Sequence, residues 1–143
     1  MANTGGNQVD EFDELFGDRA DPYDKAEIVA ALKPHIRLYA DTKEIATTDK
    51  WGELNLQQKI LSYMLGRLVL RLRGIIQEDE EGVSAADIER DTGLKSGSIR
   101  PTLSKLADAR LIRADKQTNK YIIPAFAISK AVKEIQGKGD TTK

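Results

Sequence analysis

Apolar residues between Asn55 and Ile76 recur every fourth position, at Leu56, Ile60, Met64, Leu68 and Leu72, with Leu61, Leu65, Val69 and Ile76 beside them. A stripe that wide marks a core helix. Asn55 and Gln58 have the spacing of a cap pair at its start. At 1.5 Å per residue the whole run would span about 33 Å, enough to support every other element of a chain this size. The other face carries Lys59, Tyr63, Arg67 and Arg71 at a spacing of four. This reading makes it a solvent-facing ridge whose cations, Lys59, Arg67 and Arg71, are candidates for phosphate contact.

The next periodic stretch runs from Val83 to Ile123. Ser84 and Asp87 make a capping pair, Val83 and Ile88 take the two staple positions, and the helix they open should end at Asp91 or Thr92, with Gly93 turning the chain. A second helix places Ile99, Leu103 and Leu106 on one apolar stripe. Its opposite side carries Gly97, Ser98, Pro101, Ser104 and Lys105, with Arg100 and Thr102 on the shoulders. Pro101 fits a helix without loss only in the first turn, which favours Ser98 over Ser96 as the cap. After Arg110 the period changes to two: Leu111 to Ala114 and Lys120 to Ile123 read as strands around a loop from Asp115 to Asn119. Arg113, Lys116 and Lys120 make this hairpin basic. Pro124 then leads into a last helix, Ala125 to Gln136, with Ile128, Ala131, Val132 and Ile135 on one stripe and Gly137 at its end.

DIERDTGLKSGSIRPTLSKLADARLI, followed by a hairpin and KYII, resembles the winged helix-turn-helix superfamily over about the second half of the chain. The resemblance implies a mainly α fold with a small β-hairpin wing (α+β). Its recognition helix would lie at about 96–109, with Ser96 to Lys105 toward DNA, and its wing at 111–123, with the tip at Lys116 to Lys120. Ser96, Ser98, Arg100, Thr102 and Lys105 would then face the major groove, and Arg113, Lys116 and Lys120 the flanking phosphates. Pro101 departs from the expected pattern, because it offers no donor to a base edge.

Ahead of this unit, residues 1–22 read as a disordered acidic tail. Within it, VDEFDELF sets Phe12, Leu15 and Phe16 at helical spacing among four acids, the pattern of a motif that folds on a protein partner or competes with DNA for a basic face. Residues 23–53 read as an extension. Asp24 and Glu27 repeat the capping-box spacing before Ile28 and Leu32, Pro34 ends the short helix, and His35 to Tyr39 can pair with Glu44 to Thr47 around ADTK. The winged unit then occupies 54–137, and 138–143 is a frayed tail. The acidic run Glu78 to Glu81 reads as a solvated linker, since adjacent carboxylates diverge in direction.

Net charge over the whole chain is −1, so no general polycation is at hand, but charge is segregated. Met1 to Glu27 holds eight acids against two bases, and Arg90 to Lys120 eight bases against three acids. The local excess is what a phosphate backbone senses. Absence of cysteine excludes disulfides and thiolate metal sites. No apolar run approaches a membrane span and the polar start is not a signal peptide, so a cytoplasmic protein without membrane contact is expected. One histidine, His35, and no phosphate loop or spaced carboxylate pair leave catalysis and cofactors without support. The expected function is binding of double-stranded DNA, as a small transcriptional regulator; the alternative is a winged-helix adaptor between proteins. One short helix reads few base pairs, so a homodimer is expected, joined by spare apolar surface on the last helix.

Overall fold

A computed structural model describes residues 11–15 and 23–137. The expectations for the tail at 1–22, apart from 11–15, for Phe16 within it and for 138–143 fall outside these residues. Helix α1 spans Lys25–Leu32, strands β1 and β2 are Ile36–Tyr39 and Glu44–Thr47, and α2 is Leu56–Leu72. Then come α3 (Ala85–Thr92), α4 (Ser96–Asp108), β3 (Arg113–Ala114), β4 (Tyr121–Ile122) and α5 (Ile128–Ile135). The architecture is mainly helical with two small antiparallel hairpins. Glu11–Leu15 forms a single 3-10 turn with Phe12 and Leu15 exposed.

Helix α2 is the centre of the core. Asn55 and Gln58 close its start as a reciprocal capping box, each side chain accepting from the other's backbone N–H at 2.8 Å. Every residue from Ile60 to Gly66 is buried, and so are Leu68 and Leu70. The solvent-facing ridge read from the sequence is therefore partly wrong, because Tyr63 is only 2% exposed. The element that covers this side is the β1–β2 hairpin, whose register pairs Ile36 with Thr47 and Tyr39 with Glu44. Gly66 lets it come close: a Cβ there would lie 3.0 Å from Ile45 Cδ1 and 3.1 Å from Ile36 Cδ1. Residues 23–53 thus share one core with the rest, through Ile28, Ala31, Leu32 and Ile36.

The helix also stops sooner than its hydrophobic pattern. Gly74 (φ 73°) takes the left-handed conformation, Gly74 N–H bonds to Arg71 O and Ile75 N–H to Leu70 O, both at 2.9 Å. This double bond pattern closes the last turn at Leu72 and returns Ile76 to the core.

The apolar stripe of α5, Ile128, Ala131, Val132 and Ile135, is buried against α2 and α1 in the same chain. It is not the free surface expected for a homodimer. Residues 125–127 form a 3-10 turn that precedes α5 and leaves Phe126 71% exposed. Gln58 Nε2 also donates to Glu134 O and Ile135 O at the end of α5, tying the two helices end to end.

Helix α4 closes by the same double bond pattern, with Arg110 N–H to Ala107 O and Leu111 N–H to Leu106 O, but the left-handed position is held by Arg110 at φ 64°. A side chain in that conformation costs about 1–2 kcal/mol relative to glycine's freedom there, part of which is offset by glycine's larger entropy when unfolded. Arg110→Gly should therefore stabilise the protein by about 0.5–1 kcal/mol. Urea unfolding followed by circular dichroism would show the midpoint moving up; an unchanged or lower midpoint would contradict this account of the turn.

Candidate nucleic-acid interface

Ser84 opens α3 with a reciprocal box: Asp87 N–H donates to Ser84 Oγ at 3.1 Å, and Ser84 N–H to Asp87 Oδ2 at 2.9 Å. Val83 and Ile88 are buried on either side of it. Gly93 (φ 79°) ends α3 by donating to Glu89 O at 2.9 Å, and three residues later α4 begins. The turn was legible in the sequence, but the start of α4 was not. The helix begins at Ser96, with Lys95 in the cap position and no side-chain cap, so Ser98 is not the cap and Pro101 lies inside the helix. The Gly97 carbonyl that loses its partner belongs to an exposed residue, where water can satisfy it.

The inner face of α4 is Ile99, Thr102, Leu103 and Leu106. Thr102 is a correction to the expected contact set. It is 8% exposed, and its hydroxyl donates to Ser98 O at 2.9 Å, so it faces the core. Ser98, Arg100, Ser104 and Lys105 are exposed and Ser96 is half-buried.

The second hairpin is shorter than its sequence pattern, pairing Arg113 with Ile122 and Ala114 with Tyr121. Val83 extends it by bridging to Tyr121, N–H to carbonyl in both directions at 3.0 and 2.8 Å. Asp115 shapes the loop. Its carboxylate accepts from Gln117 N–H (3.2 Å) and from the Thr118 hydroxyl (3.0 Å), and Asn119 then turns left-handed at φ 60°.

Two grooves border this hairpin. One, of about 330 Å³, lies between α4 and the hairpin and is lined by Ser84, Ala85, Arg100, Leu103, Ser104, Asn119 and Tyr121. The other, of about 740 Å³, brings Arg113 and Lys116 opposite Glu78, Asp79 and Glu81. Arg113 shares a face of the hairpin with its partner Ile122, the adjacent Tyr121 pointing the other way. The expected cations therefore divide: Arg100 and Lys105 on α4, Arg113 and Lys116 in a groove that also holds carboxylates. Lys120 takes a third place, with Nζ 3.5 Å from Asp87 Oδ2. Ser104, read from the sequence as outward but not among the contacts, and Asn119, not selected at all, join Arg100 in the first groove; the readable signal at Asn119 was asparagine's tolerance of left-handed backbone at a loop end.

Two of the three candidate cations of α2 have partners within the chain. Arg67 donates to the Glu80 carbonyl, and Arg71 Nε pairs with Glu81 Oε1 at 2.6 Å. Glu81 is 6% exposed, which corrects the reading of a solvated linker at that one residue; Glu78–Glu80 form a 3-10 turn and stay exposed as expected. Lys59 is half-buried. Tyr63 donates its hydroxyl to Asp91, and burial together with that hydrogen bond and charge raises the phenol pKa well above its ordinary value. His35 Nδ1 lies 3.2 Å from Ala31 O, a structural contact. Among the described residues no group of three or more metal-binding side chains occurs, and no helix is long and apolar enough to cross a membrane.

No protein-family model, curated protein or solved structure matches this chain.

Asp87 holds the first groove's border in place and is sensitive to acid. Burial on its own would raise its carboxyl pKa, but the Ser84 N–H and hydroxyl, the Lys120 charge and Arg90 outweigh it and lower the value below the ordinary range. A depressed folded-state pKa means that its stabilisation is complete above the unfolded value of about 3.9 and is lost as pH falls through the lower folded one. Asp87→Asn should unfold more easily than wild type at neutral pH, and the gap should close below about pH 4. Urea midpoints across that range test this; a gap that stays constant down to acid pH would remove the charge-based explanation.

Proposed function

We propose that the chain is a double-stranded-DNA-binding protein built as a winged helix-turn-helix, with α4 as recognition helix, the β3–β4 hairpin as wing, and a role among small transcriptional regulators. The observation that carries this reading is the exposed face of α4. After its apolar stripe is buried, Ser98, Arg100, Ser104 and Lys105 remain exposed, and Arg100 and Ser104 line a groove shared with Asn119 on the hairpin. A helix and a basic loop presented side by side suit a major groove and its adjoining phosphates. Lys116 at the loop adds a further exposed cation.

The second reading, an adaptor that docks on another protein, is favoured by a different observation: Arg113 and Lys116 share their groove with four carboxylates, Glu78, Asp79, Glu81 and Asp115, and Lys120 is paired with Asp87. Those acids weaken the attraction for a polyanion. An exposed 3-10 turn carrying Phe12 and Leu15 supports a protein partner at the acidic N-terminal segment under either reading. Two copies on adjacent half-sites would have to meet through surface other than the α5 stripe, such as that around Phe126.

Titrating the full chain with a labelled duplex at several salt concentrations separates the two. DNA binding predicts that log affinity falls linearly with log salt, by about 0.9 per phosphate neutralised, and that Lys105→Ala and Lys116→Ala each reduce the slope by about one. Absence of binding at low salt would remove the DNA reading in favour of the adaptor.

A further inference from the structure

The outward face of α4 is arranged in an order that bears on which duplexes it takes. Gly97, Pro101, Ser104 and Asp108 are all exposed and fall at i, i+4, i+7 and i+11. At 100° per residue they occupy a single strip about 60° wide along the helix. Arg100 and Lys105 stand about 70° to either side of its midline. The strip faces outward and the two cations flank it.

A helix laid in the major groove turns its midline to the base edges and its shoulders to the two phosphate backbones. Base discrimination comes from side chains that make paired hydrogen bonds: arginine or lysine on guanine, asparagine or glutamine on adenine, a carboxylate on cytosine. This midline has none in its first three positions. Gly97 carries no side chain, Pro101 offers only a ring, and the Ser104 hydroxyl is both donor and acceptor and suits any base. The only ionised group of the strip, Asp108, is the last residue of α4 and would repel a phosphate. The candidate that could have added a reader, Thr102, is turned inward.

We infer that α4 grips double-stranded DNA without reading its sequence: Arg100 and Lys105 straddle the groove on its phosphates, and the small residues between them let the helix lie close to whatever bases are present. The ligand class is duplex DNA of arbitrary sequence. This rests on the proposed DNA-binding role and, in place of a regulator that selects an operator, gives that role a sequence-independent form.

The test uses the full chain, a panel of unrelated duplexes of one length at fixed salt, and a selection from random duplexes. Affinities across the panel should lie within about a hundredfold, against the roughly 1,000-fold or greater preference of operator-specific proteins. Arg100→Ala and Lys105→Ala should weaken every duplex by the same factor and flatten the salt dependence on each. Both side chains are exposed, and circular dichroism would confirm that the variants fold. A selected motif bound more than about a hundredfold tighter than its scrambled form, or a loss on Arg100→Ala confined to sites with guanine at one position, would overturn the inference while leaving DNA binding intact. No binding to any duplex at low salt would overturn the DNA reading itself, and this inference with it.

Discussion

Everything in this structure answers to the need to bury α2 around most of its circumference. A helix apolar on one stripe needs one covering layer; α2 needs several, because Ile60 to Gly66 are buried in succession. The β1–β2 hairpin covers one side through the notch at Gly66, α1 and α5 a second, and α3 and α4 a third. Each fully buried leucine or isoleucine contributes about 1.5–3 kcal/mol, and Ile60, Leu61, Leu65 and Leu70 are all wholly inaccessible. The extension read at 23–53 packs into this same core, Ile36 and Ile45 lying against Gly66.

Burial on that scale calls for partners for the polar groups α2 carries, and three side chains have one, although Ser62 Oγ and Arg67 Nε are buried without one among the described residues. The Tyr63 hydroxyl finds Asp91 on α3, Arg67 the Glu80 carbonyl, and Arg71 the buried Glu81. Each bond also fixes a neighbouring segment, so the 78–81 turn and the end of α3 are held at defined positions relative to α2. That in turn fixes where α4 starts after Gly93 and which side of it faces out. The groove beside Arg100 is the end of a chain of contacts that begins in the core.

The elements themselves were largely legible in the sequence, because capping and periodicity are local. Asn55 with Gln58, Ser84 with Asp87 and Gly93 all behave as their spacing implies. What was illegible depended on distant residues. Tyr63 and Arg67 repeat every fourth position on α2 as a solvent ridge would, and only the hairpin from residues 36–47 turns Tyr63 into core. Thr102 looks like a shoulder residue of α4 until its hydroxyl is seen to bond Ser98 O within the helix. The end of α2 was misplaced because the apolar run to Ile76 outweighed Gly74, although Ile76 returns to the core after the turn and not as part of the helix. Pro101 was placed near the helix start on energetic grounds; solvent around Gly97 made a later position tolerable.

Local charge is the part of the sequence reading most altered by three dimensions. Of the eight bases between Arg90 and Lys120, Arg90 is paired with Asp87 and Asp91, Lys120 also faces Asp87, and Arg113 and Lys116 look across a groove at acids of the 78–81 turn. On the outward side of α4, Arg100 and Lys105 make no ion pair among the described residues, although Asp108 lies three residues beyond Lys105 on the strip between them. A polyanion meeting this surface therefore displaces fewer counterions than the linear count implies, since a carboxylate near a cation already supplies part of the countercharge. On the proposed reading such a surface holds DNA with modest affinity and a shallow salt dependence, because few phosphates are neutralised. The geometry behind that reading is two exposed cations, Arg100 and Lys105, on either side of a helix face whose first three positions are Gly97, Pro101 and Ser104.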